Sequence, residues 1–270
     1  MIEFRSVGKT YPDGTVAVGD FSLIAPSGRT TVLVGSSGSG KTTLMRMVNR
    51  MVTPTRGDVL IDDVPVSSTD PVSLRRSIGY VMQDAGLLPH RRVIDNIATV
   101  PLLNKVRRSD AHARALELMD LVGLDRGMAM RYPTQLSGGQ QQRVGVARAL
   151  AADPNILLMD EPFGAVDPIV RAELQSELLR LQRELHKTII FVTHDIAEAL
   201  LLGDQIVILR TGGEVAQVGT PLQIVSAPAD DFVADFVGLT GDRRLQVRRV
   251  DGVDVVVDGS GRPLGQVAPQ

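Results

Sequence analysis

The chain has 270 residues, which is long enough for one large α/β domain with a small appendage. Its 29 basic and 31 acidic residues leave a net charge of −2, so the composition lacks the excess of basic residues that is typical of nucleic-acid binding. Cysteine is absent, which excludes disulfides, thiol catalysis and thiolate metal sites. No apolar run approaches the roughly 20 residues of a membrane-spanning helix, and no apolar secretory segment follows Met1. We therefore expect a cytosolic chain, for which any membrane role must come through a partner.

Strand patterns dominate the N-terminal part of the chain. Ile2–Val7 and Val16–Ile24 alternate apolar and polar residues on either side of a proline- and glycine-containing turn. Thr30–Val34 is a β-branched run that leads directly into a glycine-rich loop, and Lys41–Met51 predicts the helix that follows it. Further short strands are predicted at Val59–Ile61 and Ile78–Met82.

From residue 84 to about residue 132 the strand patterns disappear, which predicts a helical insertion in the α/β domain. Ala111–Val122 has the pattern of an amphipathic helix, and Gln141–Ala151 predicts a second helix. Ile169–Leu185 predicts a long helix with a stripe of leucines that packs against a sheet. Apolar runs of strand length predict buried strands at Ile156–Met159, Ile189–Thr193 and Ile206–Leu209. Strands that alternate with helices predict a doubly wound parallel sheet.

The glycine-rich loop has the form G-x-x-x-x-G-K-T of a phosphate-binding loop. Its residues are Gly35, Ser36, Ser37, Gly38, Ser39, Gly40, Lys41 and Thr42. Glycines let successive backbone N–H groups point at phosphate oxygens, and the following helix adds its positive N-terminal end. Lys41 is expected to contact the β- and γ-phosphates, and the Thr42 hydroxyl to ligate Mg²⁺. The predicted strand before the loop and the helix after it argue against a chance match.

Polar side chains follow buried strands at the expected ligand edge of the sheet. Asp160 and Glu161 follow Ile156–Met159, and His194 follows the next predicted strand. Asp160 is suited to hold Mg²⁺, and Glu161 to act as general base for an attacking water. His194 could reach a γ-phosphate or orient Glu161. Gln83 ends an earlier strand and could touch both Mg²⁺ and the water, although position alone favours an ordinary polar residue there.

A second glycine-rich turn, Leu136–Gln140, opens the helix Gln141–Ala151. Ser137 and the amides of the two following glycines form an anion site like the first one. This turn belongs to the helical insertion, too far along the chain to share phosphates with Lys41. A phosphate site without its own phosphate suggests the nucleotide of a partner molecule. Ser137 also suits a helix cap, and the two roles are compatible.

Together these segments resemble the ATP-binding cassette (ABC) family over residues 1 to about 238. The family motifs occur in order as Tyr11, Gly35–Thr43, Gln83, Leu136–Gln140, Ile156–Glu161, Ala165-Val166-Asp167 and His194. The resemblance implies an α/β fold of the P-loop NTPase type, of the ABC ATPase class. Its expected parts are a RecA-like parallel sheet core, an N-terminal antiparallel β subdomain and a helical subdomain inserted at about residues 84–152.

The resemblance implies how ATP and Mg²⁺ would be held. Tyr11 would stack on adenine, and the loop Gly35–Thr43 would hold the phosphates. The Mg²⁺ site would consist of Thr42, Gln83 and Asp160.

The resemblance also implies a catalytic group and a contribution from a second chain. Glu161 would polarise the lytic water, His194 would contact the γ-phosphate and Gln83 would assist both. Ser137, Gly138, Gly139 and Gln140 would reach the ATP of the partner chain, and Asp167 would line the dimer interface. Hydrolysis would then require a homodimer closed head to tail across two ATP molecules.

A closer resemblance exists to the osmoprotectant importers, which take up glycine betaine, carnitine, choline or related quaternary amines. It is carried by Ile78–Gln83, Gly86–Arg91, Asn96–Pro101 and Phe163–Pro168. It implies an ATP-hydrolysing subunit at the cytoplasmic face of the inner (plasma) membrane, beneath permease subunits that an extracytoplasmic substrate-binding protein supplies, with no nucleic-acid partner. Gly86–His90 would receive the permease. The alternatives are an importer ATPase for amino acids or another small solute, and a soluble ABC ATPase outside transport.

The last segment, residues 239–270, is polar and glycine-rich. Many relatives carry two cystathionine-β-synthase (CBS) domains after the ATPase, whereas about 30 residues follow Gly241 here. Val253–Val257 and Pro263–Val267 predict a single β-hairpin, which cannot build a core alone. We interpret the segment as a β-rich tail, either a remnant of a CBS module or a small packing appendage.

Overall fold

The computed structural model describes residues 1–164, 166–240, 245–250 and 252–266. A six-stranded sheet lies at its centre, in the order β10-β9-β3-β8-β7-β6. The strands are β3 (Thr30–Gly35), β6 (Ile78–Val81), β7 (Ile156–Asp160), β8 (Thr188–Thr193), β9 (Gln205–Leu209) and β10 (Val215–Gly219). Neighbouring strands from β9 to β6 are parallel, and β10 pairs antiparallel with β9 at the edge. The predicted parallel sheet is confirmed, with one antiparallel edge strand added.

A second sheet is antiparallel. Two of its strands come before β3 in the chain, and the other two lie between β3 and β6. It runs in the order β2-β1-β4-β5. Its strands are β1 (Ile2–Thr10), β2 (Val16–Ala25), β4 (Arg56–Ile61) and β5 (Val64–Pro65). Phe4 and Phe21 pack edge to face across the first pair, with ring centroids 5.2 Å apart. The predicted N-terminal antiparallel sheet is confirmed.

The helices cover both faces of the central sheet and fill the insertion between β6 and β7. In the described residues they are α1 (Lys41–Val48), α2 (Pro71–Ser77), α3 (Val93–Ile97), α4 (Thr99–Leu103), α5 (Arg108–Leu121), α6 (Gly138–Leu150), α7 (Pro168–Leu185), α8 (Ile196–Leu202), α9 (Pro221–Ser226) and α10 (Asp231–Val237). Among the described residues, no helix combines the length and the apolar character needed to cross a bilayer.

Two apolar cores lie on opposite faces of the central sheet, because successive side chains of a strand point to opposite faces. Leu33 belongs to the core shared with α1 and the antiparallel sheet. Val32 and Val34 belong to the core shared with α3, α5, α6, α7 and α8. This burial on both faces explains why β3 and β8 are apolar or β-branched at almost every position.

Two helices of the insertion have bounds that differ from the sequence prediction. The helix predicted at Ala111–Val122 runs over Arg108–Leu121, and the one predicted at Gln141–Ala151 begins earlier, at Gly138. The early start follows from the capping box, in which Ser137 accepts the N–H of Gln140 and the Gln140 side chain accepts the N–H of Ser137. Gly138, Gly139 and Gln140 therefore form the first turn of the helix, and Ser137 is its N-cap.

The tail contains a three-stranded antiparallel sheet, in which the predicted hairpin is present and one further strand pairs with it. Its strands are β11 (Gln246–Val250), β12 (Val253–Val257) and β13 (Pro263–Gln266). β11 was missed because it is exposed along its whole length and shows no alternation of apolar and polar residues. The predicted hairpin extended to Val267, which lies outside the described residues.

Candidate functional site

The carboxyl ends of β3, β7 and β8 meet at one edge of the central sheet. Val34 pairs with Thr193, and Asp160 pairs with Val192. The loop after β3, the carboxylates at the end of β7 and His194 after β8 are therefore neighbours. Open parallel sheets bind ligands at this edge.

The loop of residues 35–40 turns tightly because its glycines occupy positions that other residues cannot fill. Gly38 and Gly40 have φ values of 79° and 88°, in the left-handed region. A β-carbon on Gly35 would lie 2.4 Å from the carbonyl oxygen of Leu209, and one on Gly40 would lie 2.6 Å from that of Ala17. The loop is thus fixed by close backbone approach on two sides.

Lys41 is buried inside this loop. Its Nζ donates to the carbonyl oxygens of Gly35 and Ser36, each at 2.8 Å, and to Ser39 Oγ at 3.3 Å. Burial lowers the pKa of the Lys41 ammonium, and the charges of Glu161 and Asp160 oppose that shift. Among the described residues, no carboxylate forms an ion pair with it. A buried ammonium with only neutral acceptors is suited to an anionic ligand.

Asp160 ends β7 and is held from three sides. Thr42 Oγ1 donates to its Oδ1 at 2.8 Å, while Tyr80 Oη (3.3 Å) and Arg46 Nη2 (3.4 Å) donate to its Oδ2. Burial raises the pKa of the Tyr80 phenol, and the hydrogen bond with Tyr80 is the main cause of the raised pKa of Arg46. The predicted contact partners Thr42 and Asp160 are therefore adjacent.

Sequence reasoning missed Arg46 and Tyr80. Arg46 follows Thr42 by one helical turn, so both side chains lie on one face of α1, and this spacing could have identified it. Tyr80 offered no comparable signal, since its contact with Asp160 joins positions on two neighbouring strands, β6 and β7.

Glu161 and His194 form a hydrogen-bonded pair. Oε2 of Glu161 lies 2.9 Å from Nδ1 of His194, which donates in the tautomer protonated at Nδ1. Glu161 has a φ of 44°, an uncommon value for a residue with a side chain, and its N–H donates to the Val192 carbonyl. A β-carbon on Gly164 would lie 3.4 Å from Gln83 Nε2 and 3.9 Å from Glu161 Oε2, so the Gln83 amide lies in the neighbourhood of Glu161.

The second glycine-rich turn lies on the surface at the start of α6. Ser137 and Gly138 are exposed, whereas Gly139 is buried against Val170 of α7, where a β-carbon would lie 2.4 Å from Val170 Cγ1. None of the described hydrogen bonds joins residues 137–140 to residues 35–43. The two glycine-rich segments are not assembled into one site within this chain.

Tyr11 and Asp167 lie at the margins of these groups. Tyr11 follows β1, with its ring half-exposed and Lys9 Nζ 5.2 Å from the ring centroid. Asp167 is exposed and caps α7, because its Oδ1 accepts the N–H of Ile169 at 2.9 Å. Ala165, quoted in the same motif, lies outside the described residues.

Three comparisons relate the chain to known proteins. A family model described as "ABC transporter" matches residues 18–164. The chain is 52% identical over 248 residues to the carnitine transport ATP-binding protein OpuCA of Listeria monocytogenes, with 92% of this chain and 62% of that protein covered. It is 50% identical over 248 residues to the glycine betaine/carnitine/choline transport ATP-binding protein OpuCA of Bacillus subtilis, with 92% and 64% covered. The chain therefore spans less than two thirds of the length of these relatives.

Among solved structures, the chain is similar to the dimeric structure of MJ0796, a bacterial ABC transporter cassette. The TM-score is 0.74 at 37% sequence identity, with 82% of this chain and 99% of that chain covered. This similarity, together with the parallel sheet, the antiparallel sheet and the helical insertion described above, confirms the predicted fold class.

Proposed function

Because this chain belongs to the ABC transporter family, we propose that it is the ATP-binding and ATP-hydrolysing subunit of a bacterial importer. Its cargo would be quaternary-amine osmoprotectants such as glycine betaine, carnitine and choline. The observation that carries the enzymatic part is the convergence of buried Lys41, the Thr42–Asp160 contact and the Glu161–His194 pair at one sheet edge.

The loop supports ATP as the ligand. Backbone N–H groups of residues 35–40 and the Lys41 ammonium would hold the phosphates, in place of the neutral acceptors that Lys41 contacts now. Thr42, Asp160 and Gln83 offer a hydroxyl, a carboxylate and an amide oxygen. Such oxygen ligands suit Mg²⁺, and phosphate and water would fill the other positions in its coordination shell. Bound Mg²⁺ would neutralise phosphate charge during transfer.

Glu161 would accept a proton from the attacking water. His194 would hold its carboxylate in place through Nδ1–H, and its Nε2 would donate to the terminal phosphate in the form of the ring that is protonated at both nitrogens. The Gln83 amide lies in the neighbourhood of Glu161 and would help to orient the water. The ring of Tyr11 would stack on the adenine.

The second site half would come from a partner chain. None of the described hydrogen bonds joins Ser137, Gly138, Gly139 or Gln140 to the loop of their own chain, and these residues stand at the start of α6, where helix N–H groups favour an anion. A relative of the same fold forms a dimer. We propose a homodimer in which each turn completes the partner's ATP site and Asp167 lines the interface.

The transport role rests on the relatives, whose names state carnitine, choline and glycine betaine transport. By this proposal, the homodimer sits at the cytoplasmic face of the membrane against permease subunits, which an extracytoplasmic binding protein supplies. Residues 86–90 would receive the permease. Within this segment the buried Asn96 side chain accepts the N–H of Leu88 and donates to its carbonyl oxygen, which holds the Leu88 backbone in place. Residues 1–238 would form the ATPase domain, with residues 239–270 as a separate tail.

Uptake of labelled glycine betaine and choline at high osmolarity tests the proposal. Cells that lack the gene should lose uptake, the wild-type gene should restore it, and Glu161→Gln should not. Restoration by Glu161→Gln would remove Glu161 as the base. Unchanged uptake in the deletion strain, with no redundant system present, would refute the osmoprotectant cargo.

A further inference from the structure

A buried carboxylate close to the site has no part in the chemistry described above. Glu198 lies in the first turn of α8 and is 6% exposed. Its Oε2 accepts the hydroxyl of Thr193 at 2.6 Å, and its Oε1 accepts Nε2 of Gln175 at 3.1 Å. Both oxygens are thus occupied by donors from two other elements, β8 and α7. Burial of a carboxylate is costly unless hydrogen bonds compensate it, so Glu198 and its two donors constrain one another.

Those hydrogen bonds fix the backbone on both sides of His194. Thr193 is the last residue of β8 and is 2% exposed. Its Oγ1 donates to Glu198 and therefore presents a lone pair to the N–H of Asp195, which it accepts at 3.0 Å. Asp195 in turn caps α8 by accepting the N–H of Ala197 at 2.8 Å. His194 stands between these two anchored residues.

The His194 side chain has little other support. It is 59% exposed, and its described hydrogen bond is the one to Glu161. The orientation of the His194 ring therefore depends on the local backbone. The Thr193 hydroxyl and its acceptor Glu198 hold that backbone in place through the N–H of Asp195.

The same network reaches the second glycine-rich turn through one helix. Gln175, which donates to Glu198, belongs to α7. Val170, five residues earlier on α7, fills the space beside Gly139. One helix thus contacts both the turn predicted to meet the partner's nucleotide and the carboxylate of Glu198.

We propose that Glu198 is a positioning residue for His194, acting through Thr193, and that Gln175 ties this arrangement to α7. The catalytic part of this inference rests on the proposed function. An ionised carboxylate is not required: the amide of Glu198→Gln can accept from Thr193 and donate to a rotated Gln175 amide. Removal of the side chain, by contrast, leaves the Thr193 hydroxyl without the acceptor that orients it.

The test compares purified full-length variants by steady-state ATPase kinetics and thermal unfolding. Glu198→Ala should lower kcat about tenfold with KM for ATP within about twofold, because misplacing a catalytic group affects the chemical step. Glu198→Gln should retain most of the activity. Thr193→Val should reproduce the loss and Thr193→Ser should not, which keeps the test intact if Glu198→Ala fails to fold. Glu184→Ala, on the exposed side of α7, is the matched control.

A second readout follows His194 directly. In protein labelled with ¹³C-histidine, the His194 ring signal, assigned with His194→Asn, should shift or broaden in Glu198→Ala and Thr193→Val. It should stay in place in Glu198→Gln, and the three other histidines should not change. An unmoved His194 signal would overturn the inference, as would a kcat loss equal in Glu198→Ala and Glu198→Gln. If the wild type lacks ATPase activity, the proposed function fails while the spectra still test the positioning.

Discussion

The loop of residues 35–42 and the turn of residues 137–140 both place glycines and a hydroxyl at the start of a helix, yet the chain completes only the first. The loop is enclosed by backbone from β2 and β9 and holds a buried lysine. The turn is exposed at Ser137 and Gly138, and its capping box engages the N–H groups of Ser137 and Gln140 but not those of the two glycines between them. The difference teaches that similar glycine-rich motifs can play different parts. One is enclosed by its own chain, and the other is exposed and open to contact with a second chain.

The largest expected effect is a loss of ATP affinity when the loop, rather than the turn, is changed. Lys41→Ala removes the charged donor from the loop, and hydrogen bonds to charged groups contribute about 1.5–3 kcal/mol, or roughly 10- to 100-fold in affinity. Titration with a fluorescent ATP analogue should show this loss together with loss of turnover. The control is Lys187→Ala, a similarly covered lysine that pairs with Asp153 far from the loop. Equal losses in the two variants would contradict the role of Lys41.

Ser137→Arg should abolish hydrolysis while the affinity of the isolated chain for ATP stays unchanged. The arginine would project from the exposed face that we propose to meet the partner, whereas the loop of the same chain is untouched. Thr220→Arg is a matched control, because Thr220 caps α9 with the same capping box. It loses a cap of about 1 kcal/mol and should keep turnover. A large fall in ATP affinity of Ser137→Arg would place the turn in its own chain's site.

Glycine-to-alanine substitutions sharpen the contrast in packing. Gly40→Ala places a β-carbon 2.6 Å from a backbone carbonyl at a φ of 88°, and should cost more than the roughly 1–2 kcal/mol of left-handed backbone alone. Gly138→Ala meets nothing within 4 Å at a helical position, and should leave stability unchanged or raise it by up to about 1 kcal/mol. Denaturant unfolding measures both. Similar losses would mean that the turn is as enclosed as the loop.

The smallest effect concerns the support of Asp160. Tyr80→Phe removes one hydroxyl donor to Oδ2 but leaves Thr42 and Arg46 in place. A single hydrogen bond of this kind contributes about 1 kcal/mol, so the melting temperature should fall by a few degrees or less and Mg²⁺-dependent ATPase activity modestly. A complete loss of activity would mean that the phenol has a direct role in the site.

The sequence predicts the contiguous parts of this molecule best. Gly35–Thr42 is recognisable because loop and helix follow each other directly, and Asp160, Glu161 and His194 because buried strands of one sheet end at a common edge. The side chains that hold the site residues in place were not predictable from the sequence, because Tyr80 meets Asp160 and Gln175 meets Glu198 only in the folded chain. β11 escaped prediction for the opposite reason, because an exposed strand needs no apolar pattern.

The most direct test of the composite site mixes two inactive chains. Lys41→Ala has a defective loop and an intact turn, and Ser137→Arg has the reverse. In a mixed dimer, one site combines the intact loop of one chain with the intact turn of the other. Our account predicts ATPase activity in the mixture clearly above the sum of the two variants measured separately. Activity no greater than that sum, in a mixture shown to contain mixed dimers, would contradict it.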